Sequence, residues 1–480
     1  MDSLPVELVR LIFQYCDLPS VKALRISSAR LADIGYDYLL PEHFTAVEYK
    51  DDIKRLQLIA SHERLRDKIR SITFNLAKID EYNARHTTFF QHWLQEPEER
   101  NQLLQEAWIK YYELEEQSKK LRPLSTRSKV VEDAFKKLGG SSDKLKSLEV
   151  TFTKCPYDIE VLQQVFEVRN CRKRDRSQAC KNMNAIVSAV RHVRLDSLSI
   201  DQLPLELFRL ADDRRHWFDC ATSFASLSRL DLVLDPPDNL FPQSKFRAVN
   251  GLGHVLQFST ELKYLRLAFH TYHAPGEKFE LSFKALFRGN FTYEKLTDLK
   301  LEGISCSEDD LKCFLLRHAA TLERLRLGGR GLAKPYEASI GGVHLHEGSW
   351  RSLFAGLQGK LPSLKRFHIE GDVESGDVRT NSREVWDFKP VTDDNWNDVE
   401  VGPEGLYNGW RRKPSPHRRC QKTVDCKGLE RFLIEGGPWP RLNGVVDSDG
   451  SGSGSSDGSA SPSPSSSAFA SAVTSPVASP

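Results

Sequence analysis

Apolar residues recur along the 480-residue chain in one short phrase: an apolar residue, two others, an apolar residue, one other, an apolar residue. It reads LKSLEV from Leu145, VRHVRL from Val190, LSRLDL from Leu227 and LKYLRL from Leu262. It returns as LTDLKL from Leu296, LERLRL from Leu322, LKRFHI from Leu364 and LERFLI from Leu429. The last two apolar positions are two apart, so on a strand both side chains point the same way. Helical patterns lie between the phrases. The clearest places Leu311, Phe314, Leu315 and His318 on one face behind the acidic start Glu308, Asp309 and Asp310, which suits a helix N-terminus. Strand and helix alternating over many copies predict an α/β fold of stacked units that share a parallel sheet. The uneven spacing of the copies implies insertions.

Three other segments have different patterns. Residues 1–45 hold Leu4, Leu8, Leu11, Ile12 and Tyr15 at helical spacing, then Leu18, Val21 and Leu24 after a break. So short a segment cannot bury all of that surface within itself. Residues 46–140 read as a helical linker or cap with a possible first strand at Ile72 to Phe74. One of its helices carries Ile53, Leu56, Leu58 and Ile59, and a longer one Leu103, Leu104, Trp108, Tyr111, Tyr112 and Leu114. The repeats then span 141–436, with an irregular insertion at about 372–427 that contains Trp386, Trp396 and Trp410. Residues 446–480 are dominated by Ser, Gly, Pro and Asp, which predicts a disordered tail. Within it Ser461, Ser463, Ser475 and Ser479 each precede a proline, the pattern of proline-directed kinases.

The repeated phrase resembles the leucine-rich-repeat family in a degenerate form, over about Leu145 to Ile434. The resemblance implies a curved solenoid with the sheet on its concave side. The opening stretch resembles an F-box. Leu4 and Pro5 match its leading pair, and Glu7, Leu8, Ile12 and Phe13 its first helix. Asp17, Leu18 and Pro19 match its break, Val21, Leu24 and Arg25 its second helix, and Arg30 and Leu31 the start of its third. Cys16 stands where the family usually has leucine, and the frequent tryptophan of its third helix is absent, with Leu31 near that place. The stretch from His43 to Phe74 is similar to the segment that joins F-box to repeats in fungal F-box proteins. The resemblance implies a substrate-recognition subunit of a Skp-cullin-F-box (SCF) ubiquitin ligase, with no active site and no cofactor of its own. Its adaptor-binding residues would be Leu4, Pro5, Glu7, Leu8, Ile12, Phe13, Leu18, Val21 and Leu24, and the repeats would take a protein substrate. The residues themselves leave a second reading open: a repeat scaffold whose first helices pack internally and recruit no ligase.

In each phrase the residue between the last two apolar positions faces away from them. Those residues are Glu149, Arg194, Asp231, Arg266, Lys300, Arg326, His368 and Leu433. Arg266, Lys300, Arg326 and His368 would form a basic ladder able to receive an acidic or phosphorylated substrate segment. Glu302 and Glu370 lie close enough in sequence to neutralise it, so a solvated face is the other reading.

Composition narrows the classes. Apolar content of 39% and charged content of 28% fit a globular protein, and a net charge of +2 gives no global field for nucleic acid. No apolar run is long enough for a membrane span. Asp2 and Glu7 stand where a signal peptide needs basic residues, and nine scattered cysteines read as reduced thiols. A cytoplasmic or nuclear location is expected. Enzyme and metal motifs are weak: GLGHVL at Gly251 lacks a third glycine, and HLHEGSW at His344 lacks a second histidine four residues after His346. A loop-borne zinc site on His417, Cys420 and Cys426 lacks a fourth ligand, and Cys171 with Cys180 has no zinc spacing. The basic stretches CRKRDR at Cys171 and WRRKPSPHRR at Trp410 are short and read as solvated surface.

Overall fold

A computed structural model describes residues 4–79, 81, 97–140, 144–166, 171–172, 175–209, 214–236, 241–269, 279–288, 291–329, 342–376, 384–388, 421–424 and 426–440. All of them fall within the compact unit Met1–Gly444. The expected tail with its Ser-Pro sites lies outside the described residues, as do Trp396, Trp410, His417 and Cys420.

The fold is mixed α/β with a mostly parallel sheet. Its strands are β1 (His43–Val47), β2 (Ser71–Asn75), β3 (Lys78–Ile79), β4 (Ser147–Thr151), β5 (Cys171–Arg172), β6 (Ser197–Pro204), β7 (Arg229–Asp235) and β8 (Tyr264–Phe269). They continue as β9 (Phe279–Glu280), β10 (Asp298–Glu302), β11 (Ile304–Ser307), β12 (Arg324–Gly328), β13 (His344–Glu347), β14 (Arg366–Ser375), β15 (Glu384–Phe388) and β16 (Gln421–Val424). The main ladder runs β1-β2-β4-β6-β7-β8-β10-β12-β14, every pair parallel. The far end of β14 turns into a second ladder with β13, β11 and β9, and pairs antiparallel with β15.

The register puts like residues on like rungs. One row is Phe44, Ile72, Leu148, Leu198, Leu230, Leu265, Leu299, Leu325 and Phe367. The row two residues on is Ala46, Phe74, Val150, Ile200, Leu232, Leu267, Leu301, Leu327 and Ile369. Every member is buried. At the entry to the strands one carbonyl accepts two N–H groups from the next unit. Glu42 O takes Arg70 and Ser71, Arg70 O takes Lys146 and Ser147, and Lys146 O takes Asp196 and Ser197. The pattern repeats at Asp196, Ser228, Lys263, Thr297 and Glu323.

Helices cross between the strands and cover the two apolar rows. One of them, Glu308–Arg317, begins where Ser307 Oγ accepts from Asp310 N, and it buries Leu311, Phe314 and Leu315 as its spacing predicts. His318 closes it. Its Nδ1 meets Phe314 O at 2.9 Å and its Nε2 accepts from Tyr293 N at 3.0 Å. A backbone N–H can only donate, so Nε2 carries no proton and the ring is neutral.

Several expectations are corrected here. The ladder starts at His43, two strands ahead of Leu145: β1 precedes the helices of the cap, and β2 covers the possible first strand at Ile72 to Phe74. The strand expected at VRHVRL lies a few residues later: Val190 ends the helix Arg176–Val190, and Leu195, Leu198 and Ile200 take the three apolar places. Ser199, not Arg194, is therefore on the rung beside Glu149. The last copy, LERFLI, is helical within Cys426–Glu435, so Leu433 belongs to no strand. Within the insertion expected to be irregular, Glu384–Phe388 and Gln421–Val424 form β15 and β16, and β15 pairs with β14. Among the described residues no helix is long and apolar enough to cross a membrane.

Burial holds the His318 imidazole below its ordinary value, with the bond to Phe314 opposing and Arg317 assisting. The unfolded chain thus takes up a proton before the folded one does, and stability falls as pH drops below about 6.5. Denaturant midpoints should decline between about pH 7 and about pH 5 in the wild type, and less steeply in His318→Asn.

Candidate functional site

The N-terminal segment forms three helices: α1 (Val6–Gln14), α2 (Leu18–Ser27) and α3 (Ala29–Gly35). Local chemistry sets each boundary. Pro5 is the N-cap of α1 rather than its first turn, and its carbonyl accepts from Val9 N. Asp17 caps α2 by accepting from Ser20 N at 3.0 Å, and hydrogen bonds from Ser20 hold its carboxyl below the usual range. Ser28 caps α3 through Leu31 N.

These helices close a core of their own from Val9, Phe13, Val21, Leu31 and Ile34, distinct from the core of the sheet. Phe13 stacks on Tyr38 with ring centroids 5.4 Å apart. Gly35 lets the helices meet, since a Cβ there would come within 2.6 Å of the Phe13 ring. Arg30 donates to Leu4 O at 2.6 Å and ties the chain start to α3. The unit is moored to the next helices by Arg64, which binds Asp33 at 2.6 Å, and by Tyr36, whose hydroxyl meets His62 Nε2 at 2.6 Å.

A second apolar face points outward. Leu8 and Leu11 are each 47% exposed and Tyr15 is 85% exposed. Spaced three and four apart, they share one side of α1 and its C-terminal continuation. On α2, Leu18 and Ile26 are also exposed. The nine residues expected to meet an adaptor therefore divide. Pro5, Glu7, Leu8 and Leu18 are exposed, while Leu4, Ile12 and Leu24 are half-buried. Phe13 and Val21 are each 1% exposed and fill the internal core, where no partner can reach their side chains. Leu11, Tyr15 and Ile26 join the outer face without having been expected. Their signal is a helix apolar on two sides: Val9 and Phe13 cannot share a face with Leu8, Leu11 and Tyr15.

The charged rung is the other candidate. Between the apolar rows runs Thr45, Thr73, Glu149, Ser199, Asp231, Arg266, Lys300, Arg326 and His368. The four expected basic residues do lie side by side. Their charges are engaged within the protein, however. Lys300 Nζ is 2.8 Å from Glu302, and Arg266 reaches the same carboxylate at 3.0 Å and Asp231 at 3.4 Å. Arg326 holds Asp298 at 3.1 Å. Glu302, Lys300 and Arg326 are buried, so this is neither the open basic ladder nor the solvated face. His368 is half-buried at the end of the row. Gly329 leaves room for the cluster, since a Cβ there would lie 2.5 Å from the Glu302 carboxyl carbon.

Removing one member of a buried charge cluster strips compensation from the others and costs about 3–5 kcal/mol. Glu302→Ala should lower the urea midpoint accordingly. Lys295→Ala, at the exposed pair with Glu261, should leave it where it is. Compared with known proteins, the chain is matched by no family model and by no curated protein.

Proposed function

We propose that this chain is an F-box protein with degenerate leucine-rich repeats, acting as the substrate-recognition subunit of an SCF-type ubiquitin ligase. The observation that carries the reading is the outward face of α1 and α2. Leu8, Leu11, Tyr15, Leu18 and Ile26 stay exposed although the three helices have a closed core of their own. The leftover apolar surface is therefore not consumed by the repeats. A helix pair of this kind docks into an apolar groove through a few anchoring side chains, and the groove would belong to a Skp-type adaptor. The regular rungs of the parallel sheet support reading the remainder as a rigid repeat platform for a protein substrate. Chemistry would occur in the partners, and this chain would contribute proximity between substrate and ubiquitin carrier.

The substrate surface is not assigned to Arg266, Lys300 and Arg326, because their internal acceptors already hold them. Adaptor capture by purified full-length chain tests the proposal. Leu8→Glu with Leu11→Glu should weaken capture by about tenfold or more, the loss of at least one hot spot. Thermal stability should be retained, since neither side chain belongs to the internal core. Undiminished capture by the double variant, or none by the wild type, rejects the ligase reading in favour of a scaffold.

A further inference from the structure

A cavity of about 450 Å³ lies at the carboxyl ends of the first three strands of the main ladder. That is within the size range of small-molecule sites, roughly 300–1,000 Å³. It shares no residue with the outer apolar face or the charged rung. Its floor is apolar: Ala46 from β1, Phe74 from β2, Phe152 just after β4, and Leu76, Ile53 and Leu124 around them. The last turn of the helix Pro97–Lys119 and the segment after it form one wall, and the first turns of the helix Arg176–Val190 the other.

Polar groups in the walls are locked in place. Asn182 is buried; its Oδ1 accepts from Ser125 N at 3.1 Å and from Gln178 Nε2 at 2.9 Å, and its Nδ2 donates to Glu48 at 3.3 Å. Lys78 is nine-tenths buried, with its ammonium 3.3 Å from both Glu48 and Ser118 Oγ. This acid–base pair is balanced within the protein.

The mouth is not balanced. Lys50, Lys119, Arg122 and Arg127 line it. Lys50 binds Asp158 at 2.6 Å, Arg127 binds Asp51, and Lys119 binds Glu116 at 2.5 Å. Arg122 is exposed and, among the described residues, has no hydrogen-bond or ion-pair partner. One guanidinium therefore stands unpaired over an apolar hollow, while the three other cations are each paired and the lining carboxylate Asp175 caps the Arg176–Val190 helix. A gap of this size above phenyl rings forfeits packing contacts that an apolar body would restore. A guanidinium at its lip matches a single carboxylate, sulfonate or phosphate.

We infer that this cavity binds a small amphipathic anion: an apolar ring system or short chain inside, with its acidic group at Arg122. Only non-covalent binding is involved, and the site is independent of adaptor docking.

The probe is 8-anilino-1-naphthalenesulfonate, an aromatic body with one sulfonate, titrated against the full chain and followed by fluorescence and calorimetry. The background is Leu8→Glu with Leu11→Glu, which removes two exposed leucines of the outer face of α1. Saturable binding of one probe per chain is expected. Arg122→Glu, at an exposed position that does not threaten folding, should weaken it about tenfold or more. Ala179→Trp, which fills the cavity from the Arg176–Val190 helix, should abolish it with an unchanged circular-dichroism spectrum. The uncharged analogue N-phenyl-1-naphthylamine should bind more weakly and ignore Arg122→Glu. The inference is overturned by any of three results: no stoichiometric binding in this background, binding indifferent to Arg122→Glu, or binding retained in a folded Ala179→Trp variant.

Discussion

Two rows of apolar side chains, stacked rung upon rung through nine parallel strands, hold this protein together. Each row member touches its equivalents on the strands before and after, and the helices close over both rows. Burial of about 0.8 kcal/mol per methylene makes that stack the main favourable term. It also sets the register. A slip of one residue on any strand would exchange a leucine for the charged or hydroxyl residue beside it. The shared carbonyls at the strand entries reinforce the same register from the backbone, since each must face two N–H groups of the next unit.

The polar rung between the rows is a consequence of that register. Once Leu299 and Leu301 turn inward, Lys300 must turn the other way, and Glu302, two residues on, goes with it. Parallel pairing then brings Arg266 and Arg326 alongside. Three cations on neighbouring strands would repel one another, and Glu302, Asp231 and Asp298 sit where they cancel that repulsion. The cluster stabilises the unit most where it is driest, and that dryness withdraws it from partners.

The N-terminal helices obey a different economy. Their core is small, and α1 is apolar on both its inner and outer sides. The inner side closes around Gly35 and Tyr38, while the outer side has no cover within the described residues. A unit so small can remain attached to a large sheet through Arg64 and Tyr36 without lending its surplus surface to it.

The alternation of strand and helix, the apolar rows at Leu227 to Ile369 and the neighbouring places of Arg266, Lys300, Arg326 and His368 were all legible in the chain, because a period of two on a strand leaves no freedom about which side a residue takes. The caps at Asp17, Ser28 and Ser307 follow from local chemistry too, each side-chain oxygen accepting from the backbone N–H three residues on. Where a phrase overlapped a helix end, as at Val190 and Leu429, periodicity alone could not choose, and packing against the preceding units decided. So it was with Phe13 and Leu8: both suit a buried face, and only the closing of three helices around one centre assigned one inward and the other outward. Whether four basic residues form an open ladder or a closed cluster likewise depends on Glu302 and Asp298 reaching across strands. That is a distance in space, which sequence separation does not encode.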